Sequence, residues 1–257
     1  MKWLRFAHHG RIGFGVLNAD RITVHEGDMF HHPKATTQSL AVSEVQWLPP
    51  CEPRQFFALW NNFRSAAAKN NWAEPSEPLY FLKGANSFSH HLAPVPKPRH
   101  YDGRIIFEAE LAVVIGRAGR DIPLAQAAGH VFGYTCVNDV TGLEMLHADT
   151  SFAQWTRCKS MDGFTPFGPC IETEVDLSQC QVVARVNGRE RQNYPVSDMF
   201  FSPLELVSRL SRDVTLMPGD IISCGTSLGA MPWQVGATVE VAIEPIGVLS
   251  NTLQAQG

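Results

Sequence analysis

Apolar positions along this chain fall mainly in short runs separated by turn residues, the pattern of strands and not of long helices. Gly13 to Leu17 and Ile22 to Val24 are divided by Asn18-Ala19-Asp20 and followed by Glu26-Gly27-Asp28, which is turn chemistry. These runs predict a small β-rich N-terminal region over residues 1–50, closed by Pro49-Pro50 and Pro53, because proline punctuates elements and restricts the residue before it. Asn61 to Asn70 has an alanine-rich centre and predicts a short helix, and the stiff stretch Pro94 to Pro98 leads into the body of the chain. Leu111 to Gly116 is the densest apolar run and suits a buried strand. Two turns are well specified. Asn187-Gly188 after Val182 to Val186 predicts a two-residue hairpin, and Met217-Pro218-Gly219-Asp220 predicts a type II turn feeding Ile221 to Cys224. Ser202 as N-cap, Pro203 at the first helical position and Glu205 closing a capping box announce a helix with Leu206, Val207 and Leu210 on one face. Residues 51–257 therefore read as a mixed α+β, β-dominated domain.

Composition narrows the function classes. The 257 residues are 44% hydrophobic with a formal charge of -4, enough for one large domain or a domain with a small appendage. No run of Lys or Arg offers the attraction that nucleic acid or an anionic membrane requires, so neither is expected as a partner. No apolar stretch approaches the ~20 residues of a spanning helix. Lys2, Arg5, His8 and His9 interrupt any signal-peptide core, so an unprocessed, cytoplasmic protein is expected. Six cysteines without C-x-x-C spacing are read as buried, reduced thiols.

The chemistry concentrates in three segments. Glu108 and Glu110 open the apolar strand, separated by one residue, and so share a face with Cα atoms roughly 6.5 Å apart. By spacing alone they read first as the solvated face of an edge strand. Ala112 and Val114 follow on that same face, however, which places the acids at the rim of a buried surface. Asp139 ends the β-prone run Tyr134 to Val137. Two like charges ~4 Å apart repel by about 4 kcal/mol at an effective dielectric of ~20, so three converging carboxylates require protons or a cation. All-oxygen ligands favour magnesium, with manganese or calcium as alternatives, over zinc. The loop Gln154 to Pro169 carries Lys159, which is suited to stabilising an enolate beside a metal or to pairing with Asp162 on a surface loop.

The ordered matches Glu108-x-Glu110-Leu111-Ala112-Val113-Val114-Ile115-Gly116, Gly133-Tyr134-x-x-x-Asn138-Asp139-Val140 and Lys159-Ser160-x-Asp162-x-Phe164-x-Pro166-x-Gly168-Pro169 resemble the fumarylacetoacetate hydrolase superfamily. Arg191-Gln192, Ser197 to Phe200, Pro218-Gly219-Asp220, Gly225-Thr226 and Ile246-Gly247 extend the match over roughly residues 78–252. The resemblance implies a β-roll catalytic domain, a homodimer and one divalent ion, held by Glu108, Glu110 and Asp139. Lys159 would be the catalytic lysine, holding the oxo or carboxylate end of the substrate. Thr226, in a Gly-Thr-Pro turn whose proline is Ser227 here, and Lys83 complete the expected substrate-binding set. Family substrates are 2-oxo and 1,3-dioxo acids or 2-hydroxydienoates of aromatic catabolism.

Departures from the family pattern shape the expected reaction. Family hydrolases and decarboxylases carry Asn-Tyr-x-x-His-x-x-Glu, and the matching stretch here puts Ala66 at the base and Lys69 at the acid. Leu143 and Leu146 replace the Arg and Gln that grip substrate oxygens, which suggests a less polar substrate end than the usual diacids. General acid-base catalysis contributes typically ~10²–10⁴-fold. Isomerisation or decarboxylation is therefore favoured, with C-C hydrolysis and a non-catalytic metal-binding paralogue as alternatives. His90, His91 and His147 are candidates for a replacement base. Gly225-Thr226-Ser227-Leu228-Gly229 matches a nucleophile elbow, but no good helix-forming sequence follows. The glycines of Gly10 to Gly15 are in the wrong order for a dinucleotide fingerprint.

Overall fold

The computed structural model describes residues 1–255. Twelve strands build the main sheet. At one end Lys2–His8, Arg11–Asn18, Arg21–Asp28 and His31–Ala41 follow one another as antiparallel neighbours. The first of these pairs with Thr165–Glu172, aligning Trp3 with Ile171, so the strands of residues 1–50 are hydrogen-bonded into the same sheet as the rest. The order then runs through Val131–Asn138, Ala109–Ile115, Ile221–Ser223 and Phe56–Trp60 to the edge strand Leu79–Leu82. A five-stranded sheet holds Arg189–Pro195, Gln181–Val186, Thr238–Ile243, Gly247–Ala255 and Pro94–Lys97.

Ala109–Ile115 is buried along its whole length, Glu110 included; the apolar run from Leu111 predicts the burial of all but that acid. Leu111, Val113 and Ile115 share a core with Ala184, Val241 and Leu249 of the five-stranded sheet. Ala112 and Val114 meet Trp3, Phe56 and Phe167 on the other side. A mixed α+β, β-dominated fold results, with three α-helices among the described residues: α1 (Arg64–Asn70), α2 (Trp155–Lys159) and α3 (Pro203–Asp213).

Local signals act as expected at several points. Asn187 and Gly188 take φ of 48° and 77° between their two strands, and Gly219 takes φ 87° ahead of Ile221–Ser223. Ser202 and Glu205 form the reciprocal capping box of α3, whose Leu206, Val207 and Leu210 are buried. All six cysteines are buried and unbridged.

Two expectations shift. Glu26-Gly27-Asp28 is not the turn; the strand continues to Asp28 with a register irregularity. Gly27, at φ 93°, absorbs a bulge there, a common use of a strand glycine, and Asp28 Oδ1 accepts the Phe30 N–H to make the turn one step later. The proline-rich stretch is itself a strand, Pro94–Lys97. It lies parallel to Gly247–Ala255 at the sheet edge, where proline costs least.

α1 begins at Arg64, leaving Asn62 outside it as a buried clamp. Its Nδ2 donates to the carbonyls of Phe201 and Cys224, and its Oδ1 accepts the Phe201 N–H. One side chain thus joins the base of α1 to the segment entering α3 and to the strand end at Cys224. Asn62→Leu should cost roughly 1–3 kcal/mol for stranding buried backbone groups, read as a lower denaturation midpoint; an unchanged midpoint would show that the clamp carries no stability.

Candidate functional site

The two glutamates sit where the pairing of Ala109–Ile115 with Val131–Asn138 runs out. The register sets Ala109 opposite Asn138, so the next residue, Asp139, comes level with Glu108. The Asp139 N–H donates to the Glu108 carbonyl at 2.9 Å, and the Glu108 N–H donates to Asn138 Oδ1 at 3.1 Å. Ligand-type oxygens of Glu108, Glu110 and Asp139 lie within 4.8 Å of one another.

Each carboxylate has its own partners. Glu110 Oε2 accepts from Ser223 Oγ at 2.6 Å and Gly225 N–H at 2.9 Å, while Oε1 is buried without a hydrogen-bond partner among the described residues. Glu108 accepts from Thr141 Oγ1 at 3.0 Å and Lys159 Nζ at 2.6 Å. Asp139 accepts from Lys159 at 2.6 Å on one oxygen and from Lys83 at 2.5 Å on the other. Three carboxylates thus face two ammonium groups, one formal negative charge in excess.

Electrostatics follow from this count. Burial lifts Glu110 well above the usual carboxylate range, and Asp139 and Glu108 push it the same way. Burial also raises Glu108, partly offset by Lys159 and reinforced by Asp139. For Asp139 burial opposes ionisation, but Lys159 and Lys83 outweigh it and hold its carboxyl below the ordinary value. For Lys159 burial opposes the charge, yet Asp139 and Glu108 prevail and raise it above the ordinary lysine value.

These residues suit a hard divalent cation. The donors are all carboxylate oxygens, the excess charge is negative, and a buried Glu110 oxygen lacks a partner. Such an orphan is costly to bury, and a cation held by the three acids would satisfy it.

Beside Glu108 and Lys159 opens a cavity of about 700 Å³. Thr226 lines it and is fixed from behind: its Oγ1 donates to the Ala109 carbonyl at 2.9 Å and accepts from Gln192 Nε2 at 2.9 Å. Gln192 Oε1 also accepts the Ala109 N–H, and the Tyr194 hydroxyl donates to the Ala109 carbonyl. The residue between the two glutamates is therefore locked at both backbone groups. Ala66 and Lys69 of α1, Leu143, Leu146 and His147 all line the cavity, so the departures identified in the sequence converge on one space.

Other candidates lie elsewhere. Lys83 was expected to bind substrate; it is fully buried, bonded to Asp139 and the Phe164 carbonyl, and contributes nothing to the cavity lining. Its direction, inward from the end of Leu79–Leu82, makes it a positioning group for Asp139. His90 and His91 are also absent from the lining. His91 packs on Trp47, accepts the Ser250 N–H, and is pushed down to about 4 by burial and by His90. Ser227 lines the cavity, but no helix follows it and its Oγ has no hydrogen-bond partner among the described residues. Ser223, Gln192 and Tyr194 were not foreseen as site supports; the buried alternation at Gln192 and Tyr194 in an otherwise exposed strand is the signal that could have marked two of them.

Comparisons with known proteins identify the family. The model described as fumarylacetoacetate (FAA) hydrolase, C-terminal, matches residues 55–254, and one described as Rv2993c-like, N-terminal, matches residues 1–50. The chain belongs to the fumarylacetoacetate hydrolase superfamily. An uncharacterized protein of Archaeoglobus fulgidus is 36% identical over 249 residues, covering 96% of this chain and 94% of its own. A crystal structure of 5-carboxymethyl-2-hydroxymuconate delta-isomerase from Mycobacterium smegmatis superposes with a TM-score of 0.92 at 32% identity, covering 100% of both chains. A 2-hydroxyhepta-2,4-diene-1,7-dioate isomerase from Mycobacterium marinum superposes at 0.91 with 31% identity, covering 100% of this chain and 99% of that one. Among the described residues no helix is long and apolar enough to cross a membrane.

Glu110→Gln should weaken magnesium binding tenfold or more in calorimetric titration, since outer-sphere changes alone typically cost ~10–100-fold; an unaltered affinity would remove the cation from this site. In the wild type, affinity should climb from mildly acidic to mildly alkaline buffer with proton release, because Glu108 and Glu110, both raised, must lose protons before they can coordinate. A pH-independent affinity would contradict that linkage.

Proposed function

We propose that this chain is a divalent-metal-dependent enzyme that forms an enolate from 2-oxo or 1,3-dioxo acids or 2-hydroxydienoates, and that isomerisation or decarboxylation follows in preference to C-C hydrolysis. The observation that carries the reading is the placement of Lys159 between Glu108 and Asp139 at the wall of a cavity whose α1 face presents Ala66 and Lys69. The metal platform and the lysine are present, while the histidine and glutamate that family hydrolases place on that helix are replaced.

A divalent cation held by Glu108, Glu110 and Asp139, with magnesium the expected ion, would supply Lewis-acid polarisation of a substrate oxygen. Lys159 stays an ammonium group and serves as a donor and cation toward the substrate's oxo or carboxylate oxygen, not as a base. Lys83 holds Asp139 from behind, and Thr226 presents a hydroxyl whose orientation is fixed by Ala109 and Gln192. Proton transfer is assigned to His147, the histidine that lines the cavity. The C3–H bond breaks, the proton passes to the imidazole, and the electron pair moves to the C2 oxygen. Where a C4–C5 double bond extends the enolate to a dienolate, return of the proton at C5, with the C2 carbonyl re-formed and the remaining double bond at C3–C4, gives the isomer. Loss of a β-carboxyl group as carbon dioxide gives the same enolate by decarboxylation.

The test is exchange of the C3 hydrogens of 2-oxobutanoate in deuterated buffer, followed by proton NMR with and without magnesium. This reads enolate formation whatever the final product. Magnesium-dependent exchange is expected, falling about 10²–10³-fold in Lys159→Met, as for loss of one oxyanion donor. His147→Asn should slow it ~10²-fold or more while leaving metal affinity unchanged. No exchange of 2-oxobutanoate, 2-oxoadipate or 2-oxo-4-phenylbutanoate by the wild type, despite metal binding, would overturn the reading in favour of a non-catalytic metal-binding protein.

A further inference from the structure

The cavity carries an aromatic surface that the metal site does not require. Beside Glu108, Lys159 and Thr226, and with Asn61, Lys69, Asn70 and His147 as further polar lining, four aromatic side chains from four separate segments form a continuous wall. Trp60 ends the strand Phe56–Trp60, Trp72 follows α1, Phe81 lies in the edge strand Leu79–Leu82, and Trp155 opens α2. Phe81 and Trp155 stack at 5.0 Å, Trp60 meets Trp72 at 4.9 Å, and Trp60 reaches Trp155 at 6.2 Å. The wall begins beside Lys159, whose Nζ lies 5.5 Å from the Phe81 ring centroid. Trp155 and Lys159 are four residues apart on α2, one helical face supplying both wall and cation.

None of the four rings is fully buried, and Trp72 is 40% exposed. A contiguous aromatic surface left facing a cavity is unfavourable unless something covers it. Leu143 and Leu146 extend the apolar lining. Among the described residues no arginine lines the cavity, Lys159 is engaged by two carboxylates, and the other lysine is the exposed Lys69. A volume of about 700 Å³ sits well inside the ~300–1,000 Å³ range of small-molecule sites and leaves room beyond an acid head group.

We infer that the occupant is a 2-oxo acid with a flat aromatic or conjugated tail, its head at Lys159 and its tail against Trp60, Trp72, Phe81 and Trp155. This rests on the enolate-forming reading above and specifies its substrate class. A second carboxylate in the tail, as in a diacid, would lose hydration against the aromatic wall, with the exposed Lys69 the one further cation among the described lining residues to offset it. A ring would instead gain offset-stacked or edge-to-face contacts.

Calorimetric titration of the magnesium-loaded full chain with three acids separates the possibilities: 2-oxo-4-phenylbutanoate, the diacid 2-oxoadipate, and the tail-less 2-oxobutanoate. The phenyl-tailed acid should bind at least tenfold more tightly than either of the others. Trp72→Ala should weaken it about tenfold, with the loss confined to that acid. Trp155→Leu serves as a second variant should the first alter folding, and the C3 exchange assay should show the same ranking in KM. Tighter binding of the diacid, lost in Lys69→Ala, would overturn the inference while the enolate reading stands. Failure of all three acids to bind or exchange would remove both.

Discussion

The molecule is organised around three carboxyl groups buried at one point. Glu108, Glu110 and Asp139 are set at the end of a strand pair whose remaining residues are almost entirely apolar, and only Lys159 and Lys83 oppose them. Breaking a buried ion pair by removing one partner is strongly destabilising because it leaves an uncompensated charge. The five residues therefore have to arrive together from widely separated parts of the chain. Backbone pairing brings Asp139 to Glu108, the adjacent strand end supplies Ser223 and Gly225 to Glu110, and α2 delivers Lys159. The sheet order is what makes this meeting possible.

Much of this was legible in the sequence where the signal is local. The hairpin at Asn187-Gly188, the turn at Gly219 and the capped start of α3 each depend on a few neighbouring residues with special backbone or capping chemistry. The strand over Leu111 to Ile115 was legible because its apolar run is short and rich in β-branched residues. The acids and Lys159 were legible through their ordered resemblance to a family, and the structure brings them together. What could not be read depends on register between distant segments. Lys83 looks like any lysine near a strand end until the fold turns it toward Asp139, 56 residues away. Gln192 acts on Ala109 across 83 residues, and the aromatic wall is drawn from four segments with no common motif. Gly27 misled for a different reason, since glycine serves bulges as readily as turns.

The replacements on α1 and after Asp139 acquire meaning from their common location. Ala66, Lys69, Leu143 and Leu146 are scattered in sequence yet face one cavity. Ala66, Leu143 and Leu146 offer that space no side-chain hydrogen bond, and Lys69 offers it a cation, while Glu108, Glu110 and Asp139 stay clustered beside it.

Phe81 and Lys83 are two residues apart on one short segment, the first in the cavity wall and the second holding Asp139; Trp155 and Lys159 repeat the arrangement on α2. The cavity wall and the lysines that hold the acids are thus spliced onto the same backbone pieces. Redesigning this scaffold for a different ligand is consequently not a matter of repainting a pocket: any backbone adjustment that re-aims the wall also re-aims a lysine, so new selectivity and preserved turnover have to be selected together.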